Sequence, residues 1–152
     1  MTRALVAMTC VMAVVIAITL WLHTIVTPAD VMIHYAQDAV DYAQKHHQIE
    51  LDYSESSIEA LETMVDKMRE RNLSDDALAL YAKMWGGYFG EVIRRQHGGV
   101  WSQPAAGALA GAYVLETKGT QLAPPSKVYA RLKKGEDRLG ANYELLLREW
   151  SR

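Results

Sequence analysis

The chain has a single cysteine, Cys10, and that scarcity removes several kinds of chemistry at once. No internal disulfide, Cys-based zinc site or thiol nucleophile can be built outside its first residues. The residues before Cys10, "VAMT", put Met8 and Thr9 where small residues should lead into a lipidated cysteine, so Cys10 reads as an apolar residue and not as a lipid acceptor. Phenylalanine occurs once, at Phe89, and proline four times. No His-x-x-x-His or paired Asp-x-Asp spacing occurs, and adjacent His46 and His47 point to different faces, so no metal ligand set is readable. Gly-x-Ser-x-Gly and phosphate-loop patterns are also missing, and no cofactor is implied. Basic charge is not in excess. Of sixteen Lys and Arg, only Arg3 precedes residue 27, which leaves fifteen against all eighteen Asp and Glu. That balance argues against nucleic acid as a partner, because backbone binding needs a concentrated basic face. The one dense basic run, "RLKK" at residues 131–134, is expected to be the solvated end of a helix.

Charge is missing from one long stretch altogether. Residues 4–26, "ALVAMTCVMAVVIAITLWLHTIV", hold no Asp, Glu, Lys or Arg. As a helix these residues rise roughly 35 Å, enough to cross a bilayer core with some tilt. A cleavable signal would have a shorter apolar region and an A-x-A-like end, whereas this stretch runs into "HTIVTPAD". The reading is an uncleaved anchor over residues 1–27. Arg3 lies before it, and the following segment is acidic first, with no Lys or Arg until Lys45. The positive-inside tendency then leaves the N-terminus in the cytoplasm and exports the rest, in a bacterium to the periplasm. Thr9, Ala13 and Ala17 recur every four residues, a small-residue stripe of the kind on which membrane helices pack, so oligomerisation through it is an expectation.

Past the anchor the texture is that of an α+β domain. Thr27 and Pro28 open a membrane-proximal helix over residues 28–48, with Met32, Tyr35, Ala36, Ala39, Val40 and Ala43 on one stripe. Residues 49–152 form the exported domain. "IELDYS" alternates like a short extended segment, and Ser54 caps a helix carrying Ile58, Leu61, Met64, Val65 and Met68. Ser74, followed by Asp75 and Asp76, starts a long helix that Gly98 can end. Short apolar runs follow, with "ETKGTQL" reading as a hairpin tipped by Lys118 and Gly119. Pro125 or Ser126 begins another helix ended by Gly135, and "EDRLGANYELLLREW" supplies the last. Helices, a small antiparallel sheet and more helices make one compact domain.

The most function-like block is "WGGYFGEVIRRQHGGVW", residues 85–101. A helix-interior glycine costs roughly 1 kcal/mol against alanine, so Gly86 and Gly90, four apart on one face, need a compensating contact. Close approach of another backbone or a large ring would supply it. Glu91 has Arg94 and Arg95 at i+3 and i+4, the favourable order for an ion pair, and is expected to satisfy backbone donors or Arg95. The alternative is a general acid or base, for which a second carboxylate, a histidine or a metal is normally needed. His97, six residues on, lies about 240° round the helix from Glu91 and cannot share its face.

This block, with its Tyr-x-Gly-Glu-x-x-x-Arg…Gly-Gly-x-Trp pattern, resembles a family of small bacterial domains of unknown function. The likeness runs over residues 51–139 and includes Tyr88, Gly90, Glu91, Arg95, Gly98, Gly99, Trp101, Pro125, Val128 and Arg131. It implies a fold more than an activity, since such domains resemble accessory or immunity-like modules without an established catalytic apparatus. The apolar N-terminal segment departs from their plain soluble form. The expectation is therefore a non-enzymatic interaction module of the envelope, partnered by the bilayer and by another envelope protein or a secreted toxin. An envelope hydrolase using Glu91 is the competing reading. Gly86, Gly90, Glu91, Arg95 and Trp101 are the residues to locate.

Overall fold

The computed structural model describes residues 26–152, which form five helices and a three-stranded antiparallel sheet. The expected anchor, its stripe of Thr9, Ala13 and Ala17, and Cys10 lie outside the described residues. Among the described residues no helix is long and apolar enough to cross a membrane.

Helix α1, Pro28–His47, begins in a reciprocal cap: the Asp30 amide donates to Thr27 Oγ1 at 3.2 Å, and the Thr27 amide donates to the Asp30 carboxylate at 2.9 Å. Its buried stripe is Met32, Ala36, Ala39 and Ala43. Tyr35 and Val40, expected on the same stripe, are half-buried at its edges. Three alanines in that stripe let α1 lie close to α3, Asp75–His97. A Cβ on Gly87 would stand 2.9 Å from the Met32 carbonyl oxygen, while farther along α1 the Tyr42 ring meets Tyr81 and Trp85 edge-on. Later residues of α1 thus meet earlier residues of α3, and the two run antiparallel.

Ser74 caps α3 through the Ala77 amide, and the Gly98 amide closes its other end on the Arg94 carbonyl. Every residue from Met84 to Ile93 is buried, because α1, the sheet and α4 (Pro124–Lys134) surround the middle of the helix. Helix α3 is the axle of the domain.

Between α1 and α2, Ser57–Arg69, the segment expected to be extended forms no strand. Leu51 is buried, but Tyr53 takes a left-handed φ of 61° and gives its amide to the Tyr88 hydroxyl of α3 at 2.9 Å. A tether to a side chain has replaced a strand neighbour. Ser54, the expected cap, accepts the Ser57 amide at 3.3 Å in the turn before the helix, but the N-cap position is Ser56, which makes no side-chain capping bond. The stripe Ile58, Leu61, Met64, Val65 and Met68 is buried as its spacing predicts.

Strands β1 (Val100–Ser102), β2 (Val114–Thr117) and β3 (Thr120–Leu122) pair in sequence order, with Trp101 opposite Leu115 and Glu116 opposite Gln121. The β2–β3 turn is Lys118–Gly119 with φ of 47° and 75°, the two positive values of a tight hairpin. Gly135 ends α4 in the left-handed conformation. Helix α5, Leu139–Trp150, starts three residues later than expected because Asp137, at φ 55°, and extended Arg138 interrupt the chain.

One expectation holds only in part: Lys133 and Lys134 end α4 exposed, as the basic run predicts. Arg131 is buried, not solvated. Its guanidinium bonds Asp66 at 2.8 and 3.0 Å and the Gly135 carbonyl at 2.7 Å, and it pairs with buried Glu62 at 3.2 Å. A cation so placed rivets α4 to α2, since a buried charge persists only where it is paired and hydrogen-bonded.

Candidate functional site

The glycine-rich middle of α3 is bare on one side, and two neighbours press into the space. A Cβ on Gly86 would collide with the backbone of Pro125 and its junction with Pro124; one on Gly90 would collide with the Trp101 ring. The glycines therefore accept a helix start and an indole, which is the close approach their spacing predicts. The contact is made by α4's first turn and by β1, not by the face of the sheet as a whole.

Trp101 crosses Gly90 because β1 folds back beside α3 after Gly98 and Gly99. At Gly99, φ is 132° and a Cβ would stand 2.8 Å from the Glu116 carbonyl oxygen, so glycine permits both the turn and the seating against β2. The indole Nε1 then donates to Glu91 Oε1 at 2.8 Å. Arg94 grips the same carboxylate with two bonds, Nε to Oε1 at 2.7 Å and Nη2 to Oε2 at 2.9 Å. Arg95 adds a longer contact, Nε to Oε2 at 3.4 Å. Glu91 itself has no exposed surface.

Burial alone would push the Glu91 carboxyl up. Hydrogen bonds from Arg94 and Trp101, with the charges of Arg94 and Arg95, outweigh it and hold the group below the usual carboxylate range. An ionised, fourfold-bonded, solvent-free carboxylate is poorly suited to proton transfer, because its lone pairs are already committed. The expected ion pair exists, but its main partners are Arg94 and Trp101. Of the expected alternatives, backbone donors or Arg95, Arg95 alone reaches the carboxylate, and its guanidinium is laid over the Tyr53 ring at 3.4 Å. Tyr53 stacks on Tyr88 with ring centres 4.8 Å apart, and the Tyr88 hydroxyl bonds Ser57 Oγ at 2.6 Å. Glu91 thus heads a chain of contacts that ties β1, α3, the Tyr53 loop and α2 together.

All five residues singled out from sequence meet in this region: Gly86 beside Pro124 and Pro125, and Gly90, Glu91, Arg95 and Trp101 around the carboxylate. Sequence reading missed Gly87, whose bare side receives α1, and the Arg131–Glu62–Asp66 rivet. The signal for Gly87 was its place in the Gly86–Gly87 pair. Arg131 had no local signal, since its partners lie on another helix. Two further features stand apart from Glu91. An apolar groove of about 540 Å³ is lined by Phe89, Ile93, Leu122, Pro124, Leu145 and Leu146 among others, and His97 joins a separate polar cluster. Among the described residues no group of three or more His, Cys, Asp or Glu is placed to hold a metal ion.

The sequence matches no family model, and no curated protein matches it. In fold it is similar to a crystal structure of a protein from Bacteroides thetaiotaomicron VPI-5482, with a TM-score of 0.60 and 13% sequence identity over 78% of this chain and 43% of that one. The chain spans less than half the length of that protein, and at this identity the likeness is one of fold alone.

Proposed function

We propose that the chain is a membrane-anchored, non-enzymatic interaction module of the bacterial envelope. Residues 4–26 form a single-pass inner-membrane anchor, the N-terminus is cytoplasmic, and the α+β domain faces the periplasm. Its partners are the bilayer and another envelope protein or a secreted toxin, with Thr9, Ala13 and Ala17 as the surface for packing between anchors. The observation that supports this reading best is the state of Glu91. The one carboxylate in the function-like block is sealed from solvent and fully bonded, as a structural pin is, and the reading as an envelope hydrolase rests on that same group. Nucleic acid is not proposed as a partner, given the excess of acidic over basic residues.

The orientation is tested first. Protease added to spheroplasts is expected to digest the domain, and full protection beside a digested control sinks the topology. For the interaction, photo-crosslinking in membranes should trap a protein whose purified form binds the purified full chain. If no trapped species re-forms a complex from purified parts, the module reading fails. The hydrolase reading gains if wild type cleaves an envelope polymer and Glu91→Gln loses that turnover without losing stability.

A further inference from the structure

The C-terminal end of α3 meets α5 through a polar cluster that Glu91 does not enter. His97, the last residue of α3, has a side chain only 14% exposed, and its Nε2 lies 2.7 Å from the Tyr143 hydroxyl. Its ring also rests against Trp150, centre to centre at 5.0 Å. Glu55, in the loop before α2, stands 3.9 Å from His97 Nε2, and its charge also bears on Tyr143. Lys118, at the hairpin tip, reaches over the Trp150 ring at 5.0 Å and turns its charge toward His97. The groups facing His97 are therefore Tyr143 and Trp150 from α5, Glu55 from the loop and Lys118 from the hairpin. On its own helix, Arg94 is turned to Glu91.

Helix α5 is thinly held. Of its twelve residues only Leu139 and Tyr143 are buried, and Leu145 is 55% exposed. Its other ties to the core are half-buried Leu146, Leu147 and Trp150, the Gly140 amide on Glu62 at 3.1 Å and Trp150 Nε1 on Thr120 Oγ1 at 3.3 Å. Yet Leu145 and Leu146 form one wall of the apolar groove, facing Phe89 and Ile93 of α3. A helix with so little buried surface opens more readily than the axle it lies against.

We infer that His97 is a pH-sensitive latch on α5: neutral, it holds the helix to α3 through Tyr143 and Trp150, and protonated, it releases the helix and opens the groove over Phe89 and Ile93. The physical basis is the bond between His97 Nε2 and the Tyr143 hydroxyl, which holds one proton and leaves the imidazole room for one more. That proton creates a cation in a shielded site already facing Lys118. Burial first, and the Lys118 charge second, hold the His97 pKa below that of free histidine, while Glu55 pulls the other way. With α5 open, His97 is solvated and protonates normally. The closed state is thus fully favoured above about pH 6.5 and loses ground as pH falls below it, until the depressed pKa is passed. Each unit of depression multiplies the opening constant about tenfold.

Hydrogen exchange of the full chain in detergent tests this, with protection factors corrected for the intrinsic pH dependence of exchange. Between about pH 7.5 and 5.0, protection over residues 139–150 is expected to fall severalfold, while residues 84–93 hold theirs. His97→Gln keeps a donor for Tyr143 and cannot charge, so its α5 protection should be the same at both pH values. Lys118→Asn keeps the hairpin turn, which suits Asn-Gly, and removes the facing cation, so its acid loss should shrink. The latch is overturned if wild type shows no loss, if α3 and α5 lose protection together, or if His97→Gln loses as much as wild type. Should His97→Gln open α5 at both pH values, Lys118→Asn decides: an acid loss equal to that of wild type overturns the latch.

Discussion

Glu91→Ala is expected to destabilise the domain by about 3 kcal/mol, read as the shift in a denaturant melt of the full chain in detergent. Removing one partner of a buried ion pair costs about 3–5 kcal/mol when the stranded charge stays buried. Here Arg94 and Arg95 are 33% and 42% exposed and can turn to water, which places the cost at the low end. Trp101 cannot. Its Nε1 would be left buried without an acceptor, a loss of about 1–3 kcal/mol by itself. Glu91→Gln keeps the volume and one acceptor for Trp101 but sets an amide against the Arg94 donors, so a loss of about 2 kcal/mol is expected. Adding Arg94→Met to Glu91→Gln should recover part of that loss, because the two side chains share one set of bonds.

The pH dependence of this effect has a definite sign. The carboxyl is held low in the fold, so its contribution is fully present above the unfolded value of about 4.3 and disappears as pH falls through the folded value. The gap between wild type and Glu91→Gln should hold steady from neutral pH to about pH 5 and close only in stronger acid. If Glu91→Gln instead melts with wild type, within about 0.5 kcal/mol, Glu91 is no pin. A buried carboxylate with no structural return would then favour the catalytic reading, since functional groups are the ones a fold carries at a cost.

The parts of this architecture that could be read from sequence are those set by neighbours in the chain. Ser74 and Gly98 bracket α3, Thr27 and Pro28 open α1, Gly135 ends α4, and Lys118–Gly119 sits at the hairpin tip, each through a local backbone requirement. What escaped is set by partners far along the chain. Trp101 reaches Glu91 only because β1 folds back along α3, and no spacing rule encodes that return. Arg131 looked solvated within a basic run because Glu62 and Asp66 lie on α2. Helix α3 is wrapped from Met84 to Ile93 because α1, β2 and α4 close on it from elsewhere in the chain, which no spacing within the helix encodes. Tyr53 reads as part of a strand because its tether, the Tyr88 hydroxyl, is 35 residues away.

Gly86→Ala and Gly90→Ala should each lower stability, although alanine is the better helix former at both positions. At an exposed helix site the exchange would stabilise by up to about 1 kcal/mol. Here the added methyl group has no room. At Gly86 it would meet the Pro125 Cα and nitrogen, which are backbone atoms at the start of α4 and cannot rotate aside. At Gly90 it would meet the Trp101 ring, which its bond to Glu91 holds in place. Overpacking of this kind costs about 1–3 kcal/mol, so the net loss should be about 1–2 kcal/mol for either alanine and larger for Gly90→Leu. The two sites differ in what relieves them. Trp101→Phe shortens the ring over Gly90, so Gly90→Ala should cost less in that background, whereas Gly86→Ala should cost the same with either residue at position 101. Melts of the four single and two double variants separate these cases. If both alanine variants raise the denaturation midpoint, Pro125 and Trp101 do not press on the helix, and the bare strip of α3 becomes the surface to probe for a bound partner.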